Sequence, residues 1–184
     1  MQPTEEQERI VASDAGSLVV EAGAGAAKTT TLGLYAGARS RSRILYLAFN
    51  KSIQLEAAAR MPPNVNCRTT HSIAWRKAAE LFGGEASQRV GKTYASSVAR
   101  TFRCGPLVAT AALQAIQNWC GSLSSQIDAS HVPTDIAERL ADPGSVVEIA
   151  RATWARMCRP DGGELRLPHD GYLKLFQMEE PTLR

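Results

Sequence analysis

Lys28 and Thr29 are the residues whose chemistry is easiest to name. They follow a run of small residues, Ala22-Gly23-Ala24-Gly25-Ala26-Ala27, and precede Thr30. An apolar segment, Leu18-Val19-Val20, leads in, and a helical pattern from Thr29 to Ala38 leads out. Strand, small-residue turn, Lys-Thr and helix, in that order, make the layout of a phosphate-binding loop. Backbone N–H groups at a helix start point at an anion, and the helix dipole favours negative charge there. Small residues let the backbone wrap closely around phosphate oxygens. A lysine at this position reaches the β- and γ-phosphates, and the following threonine hydroxyl ligates Mg²⁺. The loop departs from the pattern G-x-x-x-x-G-K-[ST], because Ala22 and Ala27 stand at its two glycine positions. If position 27 needs a positive φ, the alanine strains the backbone by roughly 1–2 kcal/mol. Nucleotide binding is then weakened without being abolished.

Two further polar clusters carry donors suited to phosphate: Phe49-Asn50-Lys51 and Thr70-His71-Ser72. The elements around them set their positions. Thr4-Glu5-Glu6-Gln7 is a capping box that starts a helix reaching about Ser13. Ser17 to Glu21, Ile44 to Phe49 and Val65 to Thr69 read as short buried strands. Helices are expected from Thr29 to Ala38, from Lys51 to about Arg60, and from Thr70 toward Leu81, with Gly83-Gly84 as the stop. Alternation of strand and helix predicts an α/β fold with a parallel sheet of about three strands and right-handed crossovers. Ligands in such sheets bind at the carboxyl ends of the strands. All three polar clusters fall at those ends.

From about Glu85 the pattern becomes helical: Val90 to Arg103, Pro106 to Trp119, Thr134 to Leu140, Gly144 to Cys158, and a last helix opened by His169-Asp170-Gly171-Tyr172. The expected organisation is an α/β part over 1–84, a small α-helical subdomain over 85–168, and a helix over 169–184 that returns toward the first part.

The totals fit a globular protein, with an apolar fraction of 44%, a charged fraction of 21% and a net charge of +3. That charge permits a nucleic-acid surface without arguing for one. Cys67, Cys104, Cys120 and Cys158 are widely spaced, as are His71, His131 and His169, so neither a zinc site nor a disulfide framework is expected. Buried thiols in a reducing cytosol are the simpler reading. No apolar run approaches the ~18 residues that cross a bilayer, and the polar, acidic N-terminus is no targeting peptide.

These pieces, in this order, resemble the N-terminal part of a UvrD/Rep-type superfamily 1 DNA helicase, in the F-box DNA helicase branch with its bacterial and phage relatives. The residues behind the likeness are Thr4-x-x-Gln7, the Ala22–Thr30 loop, Leu45 to Ile53, Thr69 to Ala74, and His169 to Leu175. The resemblance implies an incomplete P-loop NTPase motor domain, called 1A, with the helical insertion called 1B. It implies ATP and Mg²⁺ as cofactors, an intracellular setting, and single-stranded DNA as partner. Gln7 takes the place of the adenine-reading glutamine. Residues Ala22, Gly23, Ala24, Gly25, Ala26, Ala27, Lys28, Thr29 and Thr30 hold the nucleotide, with Lys28 and Thr29 as the catalytic pair and Thr29 on the metal. Phe49, Asn50, Lys51, Thr70, His71 and Ser72 contact the strand. Phe49, Trp75 and Tyr172 are candidates to stack on bases, although each also fits an apolar core pattern.

No Asp-Glu pair follows an apolar run anywhere in the sequence, so the acids that hold Mg²⁺ beside the loop in this family are missing. Phosphoryl transfer depends on positioning and charge stabilisation by all such groups. The expectation is therefore a helicase fragment that binds ATP and DNA backbone but hydrolyses ATP very weakly alone. Two alternatives stand beside it. One is a non-catalytic nucleotide- and strand-binding module, completed by the remaining part of a split helicase. The other is a small-molecule kinase, which leaves the Asn50 and His71 clusters without a role.

Overall fold

The computed structural model describes residues 2–140, 142 and 144–183. The chain divides into two compact units, residues 1–70 with 182–184, and residues 71–181.

The first unit opens with helix α1, Glu5–Ala12. Thr4 caps it: its hydroxyl accepts from the Gln7 amide at 3.3 Å, and Gln7 Oε1 accepts from the Thr4 amide at 3.0 Å. Helix α2, Lys28–Ala38, follows the small-residue loop. Strand β1, Ile44–Ala48, helix α3, Lys51–Ala58, and strand β2, Val65–Thr69, come next. The strands pair in parallel, from Ile44 opposite Val65 to Ala48 opposite Thr69. Helix α3 is the crossover between them, as a parallel pair requires.

Two side chains fasten this unit. Asn64, just before β2, donates from Nδ2 to the carbonyls of Ala36, Arg39 and Ser42, all within 3.1 Å. This ties the end of α2 and the following turn to the start of the sheet. The Arg39 guanidinium donates to the Val11 carbonyl at 2.8 Å and the Ser13 carbonyl at 2.6 Å, and lies 3.8 Å from the Tyr35 ring centre. It joins the ends of α1 and α2.

The third strand expected at Ser17–Glu21 does not form, and the sheet of the described residues has two strands. Its apolar side chains are uncovered, with Val19 85% exposed. A β-branched run becomes a strand only where ladder partners and packed faces stabilise it. Both β1 and β2 pair only with each other among the described residues.

Helix α4, Thr70–Phe82, begins where β2 ends, and from His71 onward it belongs to the second unit. A 3-10 turn, Gly83–Glu85, leads to α5, Ala86–Arg89. Then come α6, Ala95–Phe102; α7, Pro106–Cys120; a 3-10 turn, Ala129–His131; α8, Thr134–Ala137; α9, Gly144–Met157; and α10, His169–Met178. The helix expected from Val90 starts only at Ala95. Val90 instead pairs in parallel with Leu167, with the Gly91 amide on the Leu167 carbonyl and the Leu167 amide on the Arg89 carbonyl, both at 2.9 Å. The isolated β-branched residue finds a strand partner that lies 77 positions away, which no local pattern announces.

The core of this unit lies between α7 and α9. Ala109, Ala112 and Ala115 on α7 face a layer containing Val146 and Ala150, all fully buried. Small side chains let two helix backbones approach closely. At the far end Trp119 and Trp154 meet edge to face at 4.9 Å. Helix α10 packs against α7 and buries Lys174, whose ammonium donates to the Ser122 carbonyl at 2.7 Å and lies 4.9 Å from the Trp119 ring centre. Burial lowers its pKa. Arg89 is buried likewise and donates to the carbonyls of Gly163, Arg159 and Leu165 at 2.6–3.0 Å. Both cations are held by carbonyl dipoles instead of carboxylates.

Candidate nucleotide and nucleic-acid site

The small-residue loop takes the shape its sequence suggests at the two positions that need special backbone. Gly25 has φ +77°, which glycine adopts without strain. Ala27 has φ +52° and ψ +33°, in the left-handed region, and stands as the residue before α2. The consensus glycine position is therefore one where glycine's freedom is used, and the alanine holds a conformation that costs about 1 kcal/mol.

No side chain caps α2. The first-turn amides of Lys28, Thr29 and Thr30 thus form the kind of helix N-terminus that accepts an anion. The Lys28 ammonium lies over the same loop, donating to the Ala22 carbonyl at 3.2 Å and the Gly23 carbonyl at 2.7 Å. Residues Ala22 to Lys28 are all exposed, and Thr29 is half-buried at the second position of the helix. Uncapped amides and a lysine ammonium meet at one turn, and Thr29 stands next on the helix. That donor set fits a nucleotide triphosphate with its Mg²⁺. Among the described residues no cluster of three His, Cys, Asp or Glu could hold a metal without the phosphates.

Gln7 reaches this helix. Its Nε2 donates to Thr31 Oγ1 at 2.9 Å, and Thr31 donates on to the Ala27 carbonyl at 3.1 Å. A chain of three residues thus runs from the capping box of α1 to the strained residue of the loop. Thr31 is a participant the sequence reading missed. Its only signal is that it lies one turn after Lys28 on the buried side of α2.

The parallel register sets a second group. Ala48 sits opposite Thr69, so Phe49-Asn50 and Thr70 leave adjacent strands side by side. Asn50 caps α3, its Oδ1 accepting from the Ile53 amide at 2.9 Å. Its Nδ2 group is not spent on the cap. Lys51 donates to Gln54 Oε1 at 2.7 Å, and Gln54 Nε2 donates to the Cys67 carbonyl of β2 at 3.0 Å. The lysine is thereby aligned through α3 with the sheet. Phe49 is 87% exposed, whereas Tyr172 is buried and Trp75 half-buried. Of the three stacking candidates, Phe49 alone presents a free ring face.

In the second unit, Ser72 is exposed and His71 is half-buried on the first turn of α4. His71 Nδ1 lies 3.0 Å from the Tyr172 hydroxyl, an arrangement no sequence pattern announced.

No family model matches the chain, and no solved structure matches it. Among curated proteins, F-box DNA helicase 1 of Gallus gallus is 31% identical over 203 residues, which cover 98% of this chain and 20% of that protein. F-box DNA helicase protein 1 of Schizosaccharomyces pombe is 45% identical over 58 residues, 32% of this chain and 7% of that protein. The chain spans about a fifth of the length of the first relative. Along nearly its whole length the chain is similar in sequence to a segment of F-box DNA helicase 1.

Proposed function

We propose that this chain is the nucleotide-binding, strand-contacting segment of a UvrD/Rep-type superfamily 1 DNA helicase of the F-box branch. The observation that carries the reading is the loop. Lys28 and Thr29 open a helix with no side-chain cap, behind a left-handed residue, with the lysine ammonium drawn over the loop carbonyls.

In this reading the Lys28 ammonium exchanges the Ala22 and Gly23 carbonyls for the β- and γ-phosphates of ATP. The amides of Lys28, Thr29 and Thr30 would hold the phosphate oxygens, and the Thr29 hydroxyl would be the protein's ligand to a Mg²⁺ that offsets their charge. Gln7 reads the adenine edge by giving up its bonds to Thr4 and Thr31. Asn50, Lys51, Thr70, His71 and Ser72 donate to the backbone of single-stranded DNA, and Phe49 stacks on a base. Contacts of this kind hold a strand without reading its sequence, which a translocating motor requires. No Asp-Glu pair follows an apolar run in the sequence to hold the metal and the attacking water beside the loop. The segment therefore acts as a binding module whose hydrolysis depends on further groups.

Fluorescence anisotropy of a labelled oligonucleotide tests the DNA part. Binding at tens of micromolar that weakens with salt, and weakens further in Lys51→Ala, is the expected result, because phosphate contacts release counterions. A salt-independent signal, or none, contradicts it.

A further inference from the structure

We propose that Tyr172 is a positioning residue for the strand contact made by His71. It fixes the hydrogen of that imidazole on Nε2, with His169 completing the relay. The inference rests on the reading of His71 as a DNA contact.

The geometry is a buried hydroxyl between two imidazoles. Tyr172 Oη lies 3.0 Å from His71 Nδ1 and 3.4 Å from His169 Nδ1. The ring of Tyr172 is fixed edge to face against Trp75 at 5.4 Å, and the two histidine rings stand 6.2 Å apart. A phenol has one hydrogen to donate and lone pairs to accept. With both imidazoles neutral, the single hydroxyl hydrogen serves at most one Nδ1, so at least one ring must donate its Nδ1–H to the oxygen.

The surroundings decide which does which. His71 sits on the first turn of α4, which carries no acidic residue. His169 begins α10 with Asp170 beside it in the first turn, and is exposed, so a donating Nδ1–H is better supported there. The shorter contact is also the one to His71. The hydroxyl therefore donates to His71 and accepts from His169. His71 then keeps its hydrogen on Nε2, on the ring edge away from Tyr172, where it is a fixed donor for a phosphate oxygen. His169 is held in the Nδ1–H form, the less common tautomer of a neutral imidazole.

Nitrogen-15 NMR of the histidine side chains at a pH where the rings are neutral reads this without DNA. His71 is expected as the Nε2–H form and His169 as the Nδ1–H form, each assigned by loss of its signals in His71→Gln and His169→Gln. Tyr172→Phe keeps the packing against Trp75 and removes only the hydroxyl, and His169 is expected to revert to Nε2–H. The same tautomer at both rings, the reverse assignment, or no change in Tyr172→Phe overturns the relay. Oligonucleotide anisotropy then separates the two levels. His71→Ala and Tyr172→Phe should each weaken binding about three- to tenfold, and the double variant no more than His71→Ala. Full binding by His71→Ala overturns the DNA role of His71 whatever the NMR shows. Full binding by Tyr172→Phe alone overturns the positioning role and leaves the reading of His71 standing.

Discussion

At the scale of single residues, Ala27 shows how a departure from a pattern becomes a physical quantity. Its φ of +52° means the methyl group stands where glycine relaxes. Ala27→Gly should tighten ATP binding by up to about tenfold, the equivalent of about 1.4 kcal/mol of relieved strain in the bound loop. Unchanged affinity by calorimetry would show that the loop absorbs the methyl in both states. Gly162 makes the opposite case in the second unit. A β-carbon there would lie 2.3 Å from the Arg156 carbonyl and 2.3 Å from the Arg89 guanidinium. Gly162→Ala should cost about 3 kcal/mol or more, since both neighbours are fixed and overpacking cannot relax. A urea midpoint matching the parent protein would disprove that. Burial pushes the thiols of Cys120 and Cys158 up to about 12. Unfolded thiols ionise near pH 8.5, so the stability they contribute is present below that pH and lost as pH rises toward 12. Cys158→Ala should flatten the fall of unfolding free energy above about pH 8.5 by up to about 1.4 kcal/mol per pH unit. Denaturant unfolding at two pH values measures it.

At the scale of elements, the helices that carry their own signals were legible and the long-range pairings were not. The Thr4–Gln7 box, the Asn50 cap and the Gly83 stop each mark a boundary within a few residues, and the structure keeps all three. The strands Ile44–Ala48 and Val65–Thr69 were legible because their partner is one crossover away. Ser17–Glu21 misled because an apolar run states a tendency to be covered, and not by what. Val90 misled for the converse reason, since its partner Leu167 lies beyond any local window. At the site, Lys28-Thr29 and Asn50-Lys51 announced themselves by neighbours in sequence. The contacts Gln7–Thr31 and His71–Tyr172 did not, because their partners lie 24 and 101 positions apart. Asn64, just before β2, carries no sequence signal of its role, yet its amide bonds three carbonyls. Asn64→Ala should destabilise the first unit by about 1–3 kcal/mol, the usual cost of leaving such groups unpaired. Hydrogen exchange at the α2 amides would detect it.

At the scale of the whole molecule, the two units differ in how much they bury. The second has a continuous core from Ala74 to Tyr172. The first buries mainly small side chains, Thr31, Ala36, Ala48, Ala57 and Cys67, and exposes Leu18, Val19, Leu47, Phe49 and Leu55. Apolar exposure on that scale marks a surface suited to contact. The first unit should therefore unfold at lower urea than the second, and Mg·ATP should shift only its transition, since a ligand stabilises the state it binds. The most direct test of the central claim is calorimetric titration with Mg·ATP, comparing the parent chain with Lys28→Ala. Saturable binding that weakens at least tenfold in the variant is the predicted result. No heat at millimolar nucleotide, or equal affinity in both proteins, would contradict the assignment of Ala22–Thr30 as a phosphate-binding loop.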